Sequence, residues 1–128
     1  MGADEGARVT VPSSSLLCQL IGTSIDGVNA VALMRQGKLV AAYTRPGLAT
    51  PPEEKIMRML FQVEVVAAIA DSQSDVFGEL EYLVLNYRER RVWVFKTVHG
   101  TLAFSLVGQR PLQERVIEQV REILGRFG

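Results

Sequence analysis

Apolar positions recur along this chain in two rhythms, one helical and one strand-like. Leu16, Leu17, Leu20 and Ile21 repeat at helical spacing behind Ser13-Ser14-Ser15. Serines ahead of such a repeat mark a helix start, because a hydroxyl can satisfy the first free backbone N–H groups. Asp26-Gly27 closes that segment as a turn. Two apolar runs follow, at 28–35 and 38–44, joined by Gln36-Gly37. They predict a β-hairpin, since glycine supplies the positive φ that such turns need. Both strands are apolar on both faces, the pattern of strands covered from two sides. Arg45-Pro46-Gly47 breaks the second strand, and Thr50-Pro51-Pro52-Glu53-Glu54 opens a long helix expected over residues 52–77. Thr50 is the expected cap, proline suits the first turn, and the glutamates favour the positive end of the helix dipole. The main stripe is Ile56, Met59, Leu60, Val63, Ala67, Ala70 and Phe77. Met57, Val65, Val66, Ala68 and Ile69 widen it beyond the one face that a monomer normally buries.

Past Gly78 the rhythm returns to period two. Strands are expected at 79–88, 91–98 and 101–107, joined by the polar Glu89-Arg90 and by a His99-Gly100 turn. Gly108 and Pro111 lead into a closing helix. Leu112, Val116, Val120, Ile123, Leu124 and Phe127 form its apolar face, and Glu114, Arg115, Glu118, Arg121 and Glu122 its solvated one. The order is α-β-β-α-β-β-β-α. It predicts an α+β fold, a three-layer α/β/α sandwich around a five-stranded antiparallel sheet. Residues 13–128 form a single expected domain, and 1–12 an expected flexible N-terminal tail.

Composition narrows the function. The 128 residues are 48% hydrophobic and 22% charged, ordinary for a globular domain. Fourteen basic residues balance fourteen acidic ones. That balance argues against a dedicated nucleic-acid binder and against electrostatic docking to an acidic membrane. The longest apolar stretch, near Val63 to Ala70, is interrupted by Glu64. It falls well short of the roughly 20 residues of a spanning helix. The first six residues are small and acidic, the reverse of a secretory leader, so a cytoplasmic protein is expected. Cys18 is the only cysteine and His99 the only histidine. They cannot make an internal disulfide or a Cys/His zinc site, and a nucleophile–histidine–acid triad would have to run through His99 alone. No phosphate-binding loop of the Gly-x-x-x-x-Gly-Lys-Ser/Thr type is present. No cofactor, metal or catalytic constellation is expected, and the chain does not read as an enzyme.

The hairpin residues Asp26-Gly27-Val28-Asn29-Ala30-Val31-Ala32-Leu33 and Gly37-Lys38-Leu39-Val40-Ala41-Ala42 carry a resemblance. They are similar to the roadblock / dynein-light-chain family, where the stretch reads Gly-Val-x-Gly-Ala-Val-Val, then a glycine turn, then a small-residue strand. The glutamate-started central helix, the three-strand meander and the closing helix follow in the family's order, over about residues 13 to 127. The resemblance implies a roadblock/profilin-like sandwich that dimerises through the central helix and the third strand. The two sheets would then join, with both central helices on one face. It also implies a scaffold or regulator of Ras-like small GTPases. In the prokaryotic gliding-motility type, the dimer binds the GTPase and stimulates hydrolysis without being an enzyme itself.

The candidate site is therefore an interface. Tyr82, Leu83, Val84, Leu85 and Tyr87 are apolar on both strand faces. The stretch reads either as a central buried strand or as an edge that pairs with a second chain. Met57, Glu64, Val65, Ala68, Asp71 and Ser72 lie off the main helix stripe and are candidates for helix–helix dimer packing. Arg88, Arg90 and Arg91 cluster at a turn, either as a solvated tip or as a partner contact. Trp93, Phe95 and Cys18 read as core, and His99 as an exposed turn residue. The partners expected are a second copy of the chain and a Ras-like GTPase. The alternative is a profilin-like or PAS-like small-ligand sensor, which needs an enclosed pocket with inward polar groups. Asn86, Thr97 and Ser105 are the best such groups.

Overall fold

The structure, a computed structural model, describes residues 13–107 and 113–127. The expected tail at 1–12, and Gly108, Pro111 and Leu112 of the lead into the last helix, lie outside the described residues. The chain runs α1 (Ser13–Ser24), β1 (Val28–Arg35), β2 (Lys38–Thr44), α2 (Glu53–Asp71), α3 (Ser74–Phe77), β3 (Tyr82–Asn86), β4 (Arg90–Thr97), β5 (Gly100–Val107) and α4 (Gln113–Phe127). The five strands make one antiparallel sheet in the order β2-β1-β5-β4-β3. The chain therefore closes β5 between its two hairpin groups and leaves β2 and β3 as edges.

Strand alternation divides the core in two. Val31 and Leu33 of β1, Leu102, Phe104 and Leu106 of β5, and Trp93 and Phe95 of β4 meet Leu17, Cys18 and Ile21 of α1 and Val116, Val120 and Ile123 of α4. Tyr82, Trp93, Phe95 and Phe104 stack across three strands on this face, with centroids 5.6–6.4 Å apart. The opposite residues, Met34, Val94 and Ala103, meet Leu60 and Ala67 of α2. One face thus carries two helices and the other carries one.

Two glycines fix close approaches. A Cβ on Gly22 would stand 2.2 Å from the Tyr43 ring, so α1 sits against β2 only because that side chain is absent. A Cβ on Gly100 would stand 2.2 Å from the Met34 carbonyl oxygen, and its φ is 129°. This explains a one-residue shift from the sequence reading. The turn is Val98-His99, and Thr97 pairs with Gly100 as the first rung of the hairpin. The Thr97 hydroxyl accepts from the His99 N–H at 3.0 Å and donates to the Gly100 carbonyl at 2.8 Å. Gly100 is present for the strand next to it rather than for the turn.

The long helix also differs from expectation. It stops at Asp71, and residues 74–77 form a separate turn of helix. Ser72 ends it: its N–H bonds to the Ala68 and Ile69 carbonyls and its hydroxyl donates to the Ile69 carbonyl at 2.6 Å, a local bond that competes with helix continuation. Asp71 then turns the chain by accepting from the Leu80 N–H at 3.2 Å and from the Lys96 ammonium at 2.5 Å. Pro52 is the residue before the first turn, with no side-chain cap, so Thr50 is not the cap. Phe77 and Met59, expected in the buried stripe, are 81% and 51% exposed. On β2, Leu33 pairs with Ala41 and Met34 with Leu39, so Val40 is an extra residue in a β-bulge.

Gly22→Ala should therefore lower unfolding stability by about 1–3 kcal/mol, the usual cost of overpacking, in urea denaturation. Asp71 supplies a pH test. The Lys96 hydrogen bond, then the Leu80 N–H, hold its carboxyl below the ordinary aspartate range. A group lowered in the folded state contributes fully above its unfolded value, about 3.9, and loses that contribution as pH falls through the folded one. Asp71→Asn should lower the melting temperature at neutral pH, and the difference from the parent should vanish in strong acid.

Candidate interaction surface

The third strand lies at an edge of the sheet rather than inside it. In an antiparallel pair each residue points both its N–H and its C=O to the same neighbour, and successive residues alternate. The Tyr87 N–H bonds to the Arg90 carbonyl at 2.9 Å, so Tyr87, Leu85 and Leu83 face β4 with their peptide groups. Tyr82, Val84 and Asn86 turn theirs toward the outer side. Side chains alternate as well: Tyr82 and Val84 pack toward α1 and α4, and Leu83 packs toward α2. All four residues from Tyr82 to Leu85 are half-buried, while Tyr87 is 62% exposed.

On the face of the sheet that Leu83 packs toward, α2 shows an apolar surface that no other described residue covers. Its fully buried residues are only Leu60 and Ala67. Phe61, Val65 and Ala68, at i, i+4 and i+7, share one exposed flank, and Met59 and Val66 share the other. Ile69 stands between them at 65% exposure, and Phe61 is at 64%. Of the helix positions singled out from sequence, Val65, Ala68 and Ser72 are exposed, and Met57 and Glu64 are half-buried. Asp71 is held within the chain by Lys96 and Leu80. The sequence reading missed Phe61, Met59 and Ile69 as surface. Met59 is expected in the main stripe and Ile69 among the residues that widen it, and the signal available was the excess of apolar residues over one face.

Arg88 and Arg90 are exposed at the β3–β4 turn and Arg91 is half-buried beside them, so the three do share one tip next to the β3 edge. The polar groups expected of a ligand sensor do not converge. Asn86 is exposed on β3, Ser105 lies on β5 opposite Val92, and the Thr97 hydroxyl is used within its turn. The two principal concavities are surface grooves. One, of about 580 Å³, is lined by Pro52, Glu53, Glu54 and Met57. The other, of about 570 Å³, lies among Phe77–Glu81, Phe95, Lys96, Arg121 and Leu124. Arg121 and Glu81 pair across it at 2.8 Å.

One side chain departs from its expected role. His99 is half-buried rather than exposed: its ring meets Phe127 edge-on at 6.2 Å, and its Nε2 is buried with no hydrogen-bond partner among the described residues. Asn29 is only 3% exposed, and neither atom of its amide meets a hydrogen-bond partner among the described residues. Cys18 is fully buried, and burial pushes its thiol up to about 11, which makes it a core residue and a poor nucleophile. Among the described residues no group of three or more His, Cys, Asp or Glu side chains is placed to hold a metal ion. No described helix is long and apolar enough to cross a membrane.

No family model and no curated protein matches the sequence. Solved structures do match the fold. The Roadblock/LC7 domain from Streptomyces avermitilis superposes with a TM-score of 0.69 at 12% identity, covering 88% of this chain and 92% of that one. MglB of Myxococcus xanthus gives 0.71 at 9% identity over 92% and 94% of the two chains. The gliding protein MglB from Thermus thermophilus gives 0.68 at 16% identity over 87% and 84%. At these identities the likeness is one of architecture, and it extends over nearly the whole of each chain. The sheet order, the two-helix face and the single long helix on the other face are together the Roadblock/LC7 fold.

Proposed function

We propose that this chain is a non-enzymatic scaffold that works as a homodimer and binds a Ras-like small GTPase, whose GTP hydrolysis it modulates. The observation that carries the reading is that β3 is a sheet edge and that α2, packed on the face that Leu83 points to, leaves apolar flanks exposed. A sheet edge recruits a strand, and an apolar helix flank recruits another apolar surface. A second copy of the same chain brings both at once, in a contact that uses the same patch on each side. The Roadblock/LC7 fold and its likeness to gliding proteins support the GTPase part of the reading. Arg88 and Arg90, exposed at the tip beside the edge, are the candidate contacts to that partner, together with Arg91.

Light scattering across a dilution series tests the dimer. The expected mass is twice 14.1 kDa. Leu83→Lys or Leu85→Lys places a charge where a partner strand and helix would exclude water, and should weaken the dimer by at least about 2 kcal/mol, roughly thirtyfold in Kd. Ile69→Asp should act likewise through α2, and because Ile69 is already exposed the monomer should keep its melting temperature. A monomer at every concentration would refute the scaffold. For the GTPase, the dimer is titrated into purified Ras-like GTPases loaded with GDP or with a non-hydrolysable GTP analogue, and phosphate release is followed with GTP. Saturable binding to one nucleotide state, with a changed release rate, is expected. Binding to neither state across the panel would refute that part.

A further inference from the structure

We infer that the groove of about 570 Å³ between segment 78–81 and α4 docks a peptide segment of a partner protein, one that carries an arginine or lysine beside aliphatic residues, with Glu79 meeting the cation and Phe77 the aliphatic part. This surface is separate from the dimer reading above and stands or falls without it.

The groove has an apolar floor. Phe95 of β4 is only 4% exposed there, and Leu80 and Leu124 are half-buried. The end of α3 and the segment that follows it form one rim, and the Arg121 flank of α4 forms the other. Two features of these rims have no use within the described chain. Phe77 stands 81% exposed and packs against neither part of the core. Gly125 lies one turn beyond Arg121 on the same flank of α4, and a Cβ on it would meet nothing within 4 Å. Glycine is among the poorest helix formers, so it weakens α4 there with no close approach in the chain's own packing to require it. A missing side chain at that point leaves the helix backbone open to whatever lies in the groove.

Charge selects the occupant. Both cations that line the groove are already matched: Lys96 is held by Asp71, and Arg121 by Glu81. Glu79 is exposed, and its carboxylate has no ion-pair or hydrogen-bond partner among the described residues. The unbalanced charge of the groove is therefore one carboxylate, set between an exposed aromatic ring and an apolar floor. An anion finds no unpaired cation among the lining residues. Arginine and lysine supply both parts that the groove lacks, a charged head for the carboxylate and an aliphatic stem for the ring and the floor. Aliphatic neighbours in the same segment would cover Leu80, Phe95 and Leu124. The groove is open to solvent rather than enclosed, which suits a stretch of chain better than a small molecule that must be surrounded.

Fluorescence anisotropy with labelled peptides tests the assignment. The probe is a short synthetic peptide, blocked at both ends, with an arginine flanked by valines. One control replaces the arginine by glutamate, and the other replaces the valines by serine. Titration with the full chain should give saturable binding of the probe and of neither control. Glu79→Lys should weaken the probe about fivefold or more, with a larger effect at low salt than at high. Phe77→Ser should weaken it by a similar factor through loss of the aromatic anchor. Gly125→Gln fills the open space with a better helix former, so it should raise the melting temperature and still block the probe, which a merely structural role for Gly125 would not do. All three positions are exposed, so the variants keep the fold. Absence of saturable binding, or equal binding of either control, would overturn the proposal, and so would binding that none of the three substitutions weakens. A probe that lowers the mass of the chain from that of a dimer as it binds would give the groove to a second copy and would overturn the proposal as well.

Discussion

Two helices pack on one face of the sheet and one helix packs on the other, and this imbalance governs the rest of the molecule. On the α1 and α4 side the strands bring large residues, Trp93, Phe95 and Phe104, and the helices bring enough leucine, isoleucine and valine to seal them. On the α2 side the sheet contributes Ala103, Val94 and Met34, and a single helix meets them with little more than Leu60 and Ala67 fully buried. Ile56, Met57 and Val63 pack partly against them, while Met59, Phe61, Val65, Val66 and Ile69 stay exposed among the described residues. A chain of this length buries a large fraction of its surface, so apolar flanks left open on its longest helix are the feature that most needs a partner. The β3 edge is a second open feature, and the Leu80 N–H bond to Asp71 ties the approach to β3 to the end of α2.

Much of the architecture was written locally. The helical repeat after the three serines, the Gln36-Gly37 hairpin, with φ of 55° and 76° at its two residues, and the amphipathic closing helix each depend on neighbours in sequence. The errors came where a residue answers to something distant. Gly100 looked like a turn glycine because the Met34 carbonyl that forbids its side chain lies on another strand, far away in the chain. The side chain of Asp71 is held by Lys96, which no window around residue 71 contains. His99 looked exposed because Phe127, which covers it, belongs to the last helix.

The site was legible in kind but not in detail. The sequence showed that α2 and the stretch 82–87 hold more apolar residues than one covered face can use. It did not show whether β3 was inside the sheet or at its rim, because strand order is not carried by periodicity: a strand apolar on both faces fits either position. Nor did it separate Leu60 from Phe61 and Met59, since a helix that is apolar around most of its circumference gives no unique inward direction until the sheet beneath it is placed.

A molecule with two sheet edges has in principle two places to grow, and chains that grow at both become fibres. Here the edges are unlike. β3 is straight and regular through five paired residues, whereas β2 carries Val40 as an unpaired insertion that kinks its outer rim. A contact that joins β3 to β3 consumes the good edge of both participants and leaves only the kinked ones outermost. Association through β3 would therefore carry its own stopping rule: the first contact would remove the means for the next, and a finite particle would be reached without any surface having to repel further copies.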